Sequence, residues 1–343
     1  MQNFKIENIN IGPKYEPLVI PEIGINHNGS LETAFKMVDA AARAGAKIVK
    51  HQTHIIDDEM SSAAKNVIPG NSAKSIYEVM AECALNEEEE KALMKYVQSK
   101  GMVFLSTPFS RAAALRLDKF GVSAYKIGSG EMNNYPLIEL ISKLGRPMIV
   151  STGMNDMDAI RRTVEIILKN NCSFALLHTT NLYPTPAKYV RLGAMLELKE
   201  FGVPFGLSDH TTNNNACLAA VALGASIVER HFTDTKDRVG NDIICSMDEA
   251  ELKLLLDATR EIFSMRGGKK GPLPEEQVTI DFAFATVVAI SDIREGELFT
   301  HENLWTKRPG TGQIKAADYE KLIGSKAKTD IKKDTHITWG MVM

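Results

Sequence analysis

Eight short apolar runs, each followed by a longer stretch of helical period, constrain this chain more than any other feature. They fall at residues 18–22, 46–52, 102–106, 124–127, 148–151, 174–178, 203–208 and 226–229. Runs such as Phe174-Ala175-Leu176-Leu177 carry no polar face, as expected of parallel strands covered on both sides. Eight strands alternating with helices predict an α/β fold closed into a (β/α)8 TIM barrel. Local signals agree: Ser30 predicts the start of a helix that stops at Gly45, and Asn86 with Glu89 predicts a capping box. Ser246 with Glu249 repeats that spacing ahead of Leu252, Leu254 and Leu255.

The alternation ends near residue 265. Arg266-Gly267-Gly268-Lys269-Lys270-Gly271-Pro272-Leu273-Pro274 is rich in glycine, proline and charge, the composition of a linker. Short runs punctuated by turns follow, at 286–290 and 304–308. The expected organisation is a barrel domain over 1–265 with a short N-terminal extension, a linker over 266–281, and a small mixed domain over 282–343.

Charge and cysteines bound the partners. The net charge is -3, which argues against nucleic acid or an anionic membrane as partner, so any anion site must be a local cluster. No stretch is long and apolar enough to read as a membrane span. Cys83, Cys172, Cys217 and Cys245 show no paired spacing, and no early apolar run reads as a signal peptide. Together these predict a reduced, cytoplasmic enzyme.

In such a barrel, side chains at the C-terminal ends of the strands converge on one mouth. Here those ends carry Glu22, Lys50 and Gln52, Thr107, Lys126 with Ser129 and Glu131, Asn181 with Tyr183, Ser208 with His210, and Glu229 with His231. Asp242 follows the last strand. His210 and His231 lie 21 residues apart, one strand step. A lone histidine is more often structural, but a pair on adjacent strand ends predicts a shared divalent ion, with Glu22 or Asp242 nearby. Without cysteine at hand, Mn²⁺ or Mg²⁺ suits that ligand set better than structural zinc, and Co²⁺ is the alternative. A lysine ending a buried strand is costly unless it meets an anion. Lys50 and Lys126 therefore predict a phosphate and carboxylate cradle, with Thr107, Ser129, Asn181 and Ser208 as neutral donors. Glu22, Glu131 and Asp242 are candidates for proton transfer or for holding sugar hydroxyls. His27, His51, His54 and His178 read as structural.

The motifs Pro21-Glu22-Ile23-Gly24-Ile25-Asn26-His27-Asn28-Gly29, Lys50-His51-Gln52-Thr53-His54, Ile68-Pro69-Gly70-Asn71, Tyr125-Lys126-Ile127-Gly128-Ser129-Gly130-Glu131, Gly206-Leu207-Ser208-Asp209-His210-Thr211 and Glu229-Arg230-His231-Phe232 resemble the bacterial sialic acid synthase (N-acetylneuraminate synthase) family. The likeness spans essentially the whole chain, and the C-terminal part resembles the antifreeze-like (SAF) domain of those enzymes. It implies metal-dependent condensation of phosphoenolpyruvate (PEP) with N-acetylmannosamine and water, giving N-acetylneuraminate and phosphate. Metal ligands would fall on His210 and His231, and PEP contacts on Lys50, Thr107, Lys126, Ser129, Asn181 and Ser208. Sugar contacts would fall on Gln52, Asn71, Glu131, Tyr183 and Asp242, with Glu22 and Glu229 as acids of the same centre. The resemblance also implies a domain-swapped homodimer in which Arg308, in Lys307-Arg308-Pro309-Gly310, reaches the sugar of the other subunit. A legionaminic acid synthase using a diacetamido sugar, or a Schiff-base aldolase using Lys126 or Lys50, are the alternatives. Lys50-His51-Gln52 and Pro69-Gly70-Asn71 resemble the sialic acid branch more than the pseudaminic one.

Overall fold

A computed structural model describes residues 3–70 and 72–343. Two compact units divide at Gly267/Gly268. In the first, a hairpin of β1 (Phe4–Ile6) and β2 (Ile9–Ile11) precedes eight parallel strands. These are β3 (Leu18–Gly24), β4 (Ile48–Thr53), β5 (Val103–Pro108), β6 (Tyr125–Ile127), β7 (Met148–Ser151), β8 (Phe174–Thr179), β9 (Phe205–Asp209) and β10 (Ile227–His231). They pair in sequence order, and β10 returns to β3, which closes the barrel.

Side-chain alternation sorts each strand. Val19, Val49, Phe104, Tyr125, Val150, Leu176, Leu207 and Val228 join the buried shell shared with the helices. The alternate positions Leu18, Ile20, Ile48, Val103, Leu105, Ala124, Ile149, Ala175, Leu177 and Ile227 form a second core. Phe4, Ile6, Ile9 and Ile11 of the hairpin join that second core, so the N-terminal extension contributes apolar surface to it. Its strands are too short to show a period in the sequence.

Two residues further along each strand, the same register changes character. Ile20 gives way to Glu22, Ile48 to Lys50 and Gln52, Leu105 to Thr107, Ala124 to Lys126, Ile149 to Ser151, and Ile227 to Glu229 and His231. Period-two geometry keeps these polar groups on the same side as the apolar floor beneath them. The mouth is therefore a polar layer stacked on a dry one.

Helix signals were mostly legible. Ser30 caps the helix Leu31–Ala44, which ends at Gly45 in the left-handed region. Asn86 and Glu89 form the expected capping box. The Ser246–Glu249 box does not form: Asp248 caps the helix Glu249–Met265, and Glu251 answers it. Ser246 is committed elsewhere, donating to the Asp242 carbonyl and accepting from Asn26.

The second unit holds the antiparallel pair β11 (Thr286–Ala289) and β12 (Leu304–Lys307) around its own core, including Val287, Phe299, Leu304, Ile314 and Ile337. The expected linker is more ordered than its composition suggests. The helix Gln277–Ala283 begins within it, and the Asp281 carbonyl accepts from Gly310.

Candidate active site

Fourteen of the residues singled out by strand-end position lie on the C-terminal side of the barrel strands or in the loops that follow them. Asn71 lies outside the described residues, and Arg308 sits on an exposed loop after β12 in the other unit.

A chain of charges crosses the mouth. Lys50 pairs with Glu22, and its Nζ stands 3.3 Å from Glu229 Oε1. Lys126 Nζ approaches the same oxygen at 3.8 Å. One carboxylate thus faces two ammonium groups, and it also accepts from Ser208 Oγ at 3.1 Å. All of these groups are buried. Burial works to raise the pKa of Glu229, but Lys126 and Lys50 outweigh it and hold the carboxyl below its usual value. Burial brings Lys50 down to about 8, aided by repulsion from Lys126 and opposed by Glu229. Lys126 also donates to Ser151 Oγ at 2.7 Å and to the Ile127 carbonyl at 2.9 Å. Ser151 ends the fifth barrel strand and was missed by sequence reasoning, although its strand-end position was the available signal.

The two imidazoles meet as expected. The rings of His210 and His231 have centroids 5.3 Å apart, and Tyr183 stacks on His210 at 4.1 Å. His210 Nδ1 donates to the Thr180 carbonyl at 2.9 Å, which leaves its other nitrogen with a lone pair. Burial drives His210 down to about 4 and His231 well below its normal value, so both rings are neutral, the form that ligates metal. His231 Nδ1 is buried without a hydrogen-bond partner among the described residues and lies 3.9 Å from Asp242 Oδ2. These residues fit a divalent ion. Among the described residues no group of three or more His, Cys, Asp or Glu is arranged to hold one, so such an ion would complete its shell with substrate or water oxygens.

Gly24 makes room for this centre. Its φ is +47°, and the β3–β4 register shifts beside it. A Cβ there would sit 2.9 Å from Glu22 Oε1 and 3.2 Å from Gln52 Nε2. Gly153 is constrained in the same way, since a Cβ would lie 2.0 Å from Asn181 Oδ1 and 2.8 Å from Ser129 Oγ. Its backbone N–H donates to Ser129 Oγ at 3.1 Å.

A cavity of about 570 Å³ opens over the centre. Gln52, Asn181, Tyr183, His231 and Asp242 line it with Ile25, Ile76, Val79, Met80 and Phe109. Burial pushes the Glu131 carboxyl up to about 7, with the Glu59 charge adding to the rise and the two lysines opposing it. Burial likewise lifts Asp242 to about 6. Buried oxygens of Glu131, Asn181 and Glu229 have no hydrogen-bond partner among the described residues, an arrangement a polar ligand would satisfy. His27, His51 and His178 pack or bond away from the cavity, as expected. His54, also read as structural, instead bonds to Gln52.

The NeuB family model matches residues 37–271, and the SAF domain model matches 284–343. The N,N'-diacetyllegionaminic acid synthase of Campylobacter jejuni is 37% identical, covering 92% of this chain and 97% of its own length. The pseudaminic acid synthase of the same species is 35% identical, covering 96% of each chain. The crystal structure of an N-acetylneuraminic acid synthetase from Leptospira borgpetersenii, in complex with citrate, superposes with a TM-score of 0.75 at 30% identity, covering 81% of this chain and 95% of that one. Both matches fall on the two units of the fold, and the barrel mouth that carries the charges lies within the first: the chain belongs to the NeuB family of PEP-dependent synthases and ends in a SAF domain.

Proposed function

We propose that this enzyme condenses PEP with the open-chain aldehyde of an N-acetylated amino sugar, N-acetylmannosamine, releasing phosphate and forming N-acetylneuraminate. The observation that carries the reading is the pair of buried ammonium groups sharing Glu229, in the same barrel mouth as two neutral imidazoles. Each ammonium can donate charge-assisted hydrogen bonds to phosphate or carboxylate oxygens, while Glu229 and Glu22 balance their two positive charges in the free site. Thr107 accepts from Lys50 at 3.4 Å and Ser208 donates to Glu229; with Ser129 and Asn181 they would be the neutral donors to PEP.

In this mechanism C3 of PEP bonds to the aldehyde carbon, and the aldehyde oxygen takes a proton. A divalent ion held by His210 and His231 would supply Lewis acidity toward that oxygen. Glu131 holds a proton up to about pH 7 and would deliver it there. Water adds at C2, and its proton passes to Glu22. The bond between C2 and the phosphate oxygen then breaks, phosphate leaves with the electron pair and takes up the remaining hydroxyl proton, and C2 becomes the ketone carbon.

Gln52, Tyr183 and Asp242 would meet the sugar. A diacetamido sugar is the second reading. It is supported by the apolar side of the cavity, with Ile25, Ile76, Val79 and Met80, which suits an acetyl methyl better than a hydroxyl. A cytoplasmic homodimer in which Arg308 enters the partner's sugar site belongs to the same proposal, supported by the exposure of Arg308.

The test is phosphate release from PEP with Mn²⁺ or with EDTA, across N-acetylmannosamine and diacetamido aldehydes. Release that depends on both aldehyde and metal is expected. Borohydride trapping together with indifference to EDTA would instead identify a Schiff-base aldolase.

A further inference from the structure

We infer that His54 is a positioning residue that fixes the amide of Gln52 and, through it, the carboxylate of Glu22. The inference rests on the proposed synthase reading, in which Gln52 meets the sugar and Glu22 handles the proton of water.

Four side chains form one line. His54 Nδ1 lies 2.8 Å from Glu59 Oε2, and its Nε2 lies 3.1 Å from Gln52 Oε1. Gln52 Nε2 then donates to Glu22 Oε1 at 3.0 Å. Glu22 in turn pairs with Lys50. The direction of each bond is set by chemistry. Glu22 as a carboxylate only accepts, so the amide must turn its NH₂ toward it. That leaves the amide oxygen facing His54, which must donate from Nε2. With the Glu59 carboxylate accepting at Nδ1 as well, both ring nitrogens donate, so the two bonds form together only when the ring carries both of its protons.

The ring has little freedom to do otherwise. Its side chain is 2% exposed, and it stacks on Phe109 with centroids 4.4 Å apart. Phe109 and Gln52 both line the cavity. Gln52 itself is half-buried, and without His54 its amide has, among the described residues, only Glu22 to hold it. A glutamine free to flip would present its oxygen to the Glu22 carboxylate part of the time and lose the orientation of the acceptor sugar.

The test compares His54→Gln, His54→Asn and His54→Ala with wild type in steady-state phosphate release. A glutamine amide nitrogen reaches the place of Nε2, whereas an asparagine nitrogen reaches that of Nδ1. His54→Ala and His54→Asn are expected to raise KM for the sugar about 10-fold, the worth of one strong hydrogen bond. KM for PEP should move less than about 3-fold, because Lys126 and Ser151 are untouched and Lys50 keeps Glu229 as a second partner. His54→Gln should recover most of the loss. Gln52→Ala and Gln52→Ala/His54→Ala should then behave alike, since the second change removes a support that no longer carries anything. Equal effects of Gln and Asn, or additive effects in the double variant, would overturn the inference even in an active enzyme. A wild-type protein that releases no phosphate with any aldehyde would instead overturn the proposed function.

Discussion

Replacing Lys126 with methionine should separate stability from catalysis. At an effective dielectric near 20, an ammonium 3.8 Å from Glu229 gains about 4 kcal/mol of attraction. Burying that ammonium costs several kcal/mol, so the two terms nearly cancel. Glu229 is not orphaned by the change, because Lys50 remains 3.3 Å away. Repulsion between the lysines, which helps depress Lys50, also disappears. Methionine matches the length of the stem and leaves no large void. What remains is the loss of the donor to Ser151 Oγ and the Ile127 carbonyl, so folding should weaken by roughly 1–3 kcal/mol. Binding of PEP loses one of its two buried cations, roughly 2–5 kcal/mol, or about 30-fold to several thousand-fold in kcat/KM for PEP. Thermal melting of the apo protein and phosphate release as a function of PEP measure the two quantities. A variant that remains folded and keeps kcat/KM for PEP within about 3-fold would refute the cradle. So would one whose activity falls only in step with loss of folded protein.

Glu131→Gln should raise apo stability at pH 8 but not at pH 5. The folded carboxyl titrates at about 7, above its unfolded value, so the native state holds the proton more tightly. Its contribution to stability is full at low pH and is lost as pH rises through 7; melting curves at both pH values check the sign. His231→Ala should cut phosphate release roughly 100-fold or more and resist rescue by Mn²⁺, whereas EDTA-treated wild type should recover. Isothermal titration with Mn²⁺ should show the lost site directly. Met80→Gln should weaken a diacetamido acceptor more than N-acetylmannosamine if Met80 meets the second acetyl group, as ratios of kcat/KM will report.

The barrel and the position of its mouth were legible because both follow from local periodicity. Apolar runs mark strands, and alternation carries Glu22, Lys50, Lys126 and Glu229 to the same side as the floor beneath them. The imidazole pair followed from one strand step between His210 and His231. What stayed hidden depends on neighbours distant in sequence. That Glu229 serves both lysines is decided by how β10 sits between β3 and β9, and by the reach of side chains across a closed ring. Gln52 and His54 are only two residues apart, but the line they form ends on Glu22 and Glu59, which other segments bring to them. Asp248 displaced Ser246 as a helix cap because Ser246 was already bonded within the loop that holds Asp242. Sequence determined which groups would share the opening, since strand geometry repeats every two residues. Tertiary structure alone decided which of them touch, because hydrogen bonds and ion pairs form over a few ångströms that periodicity does not specify.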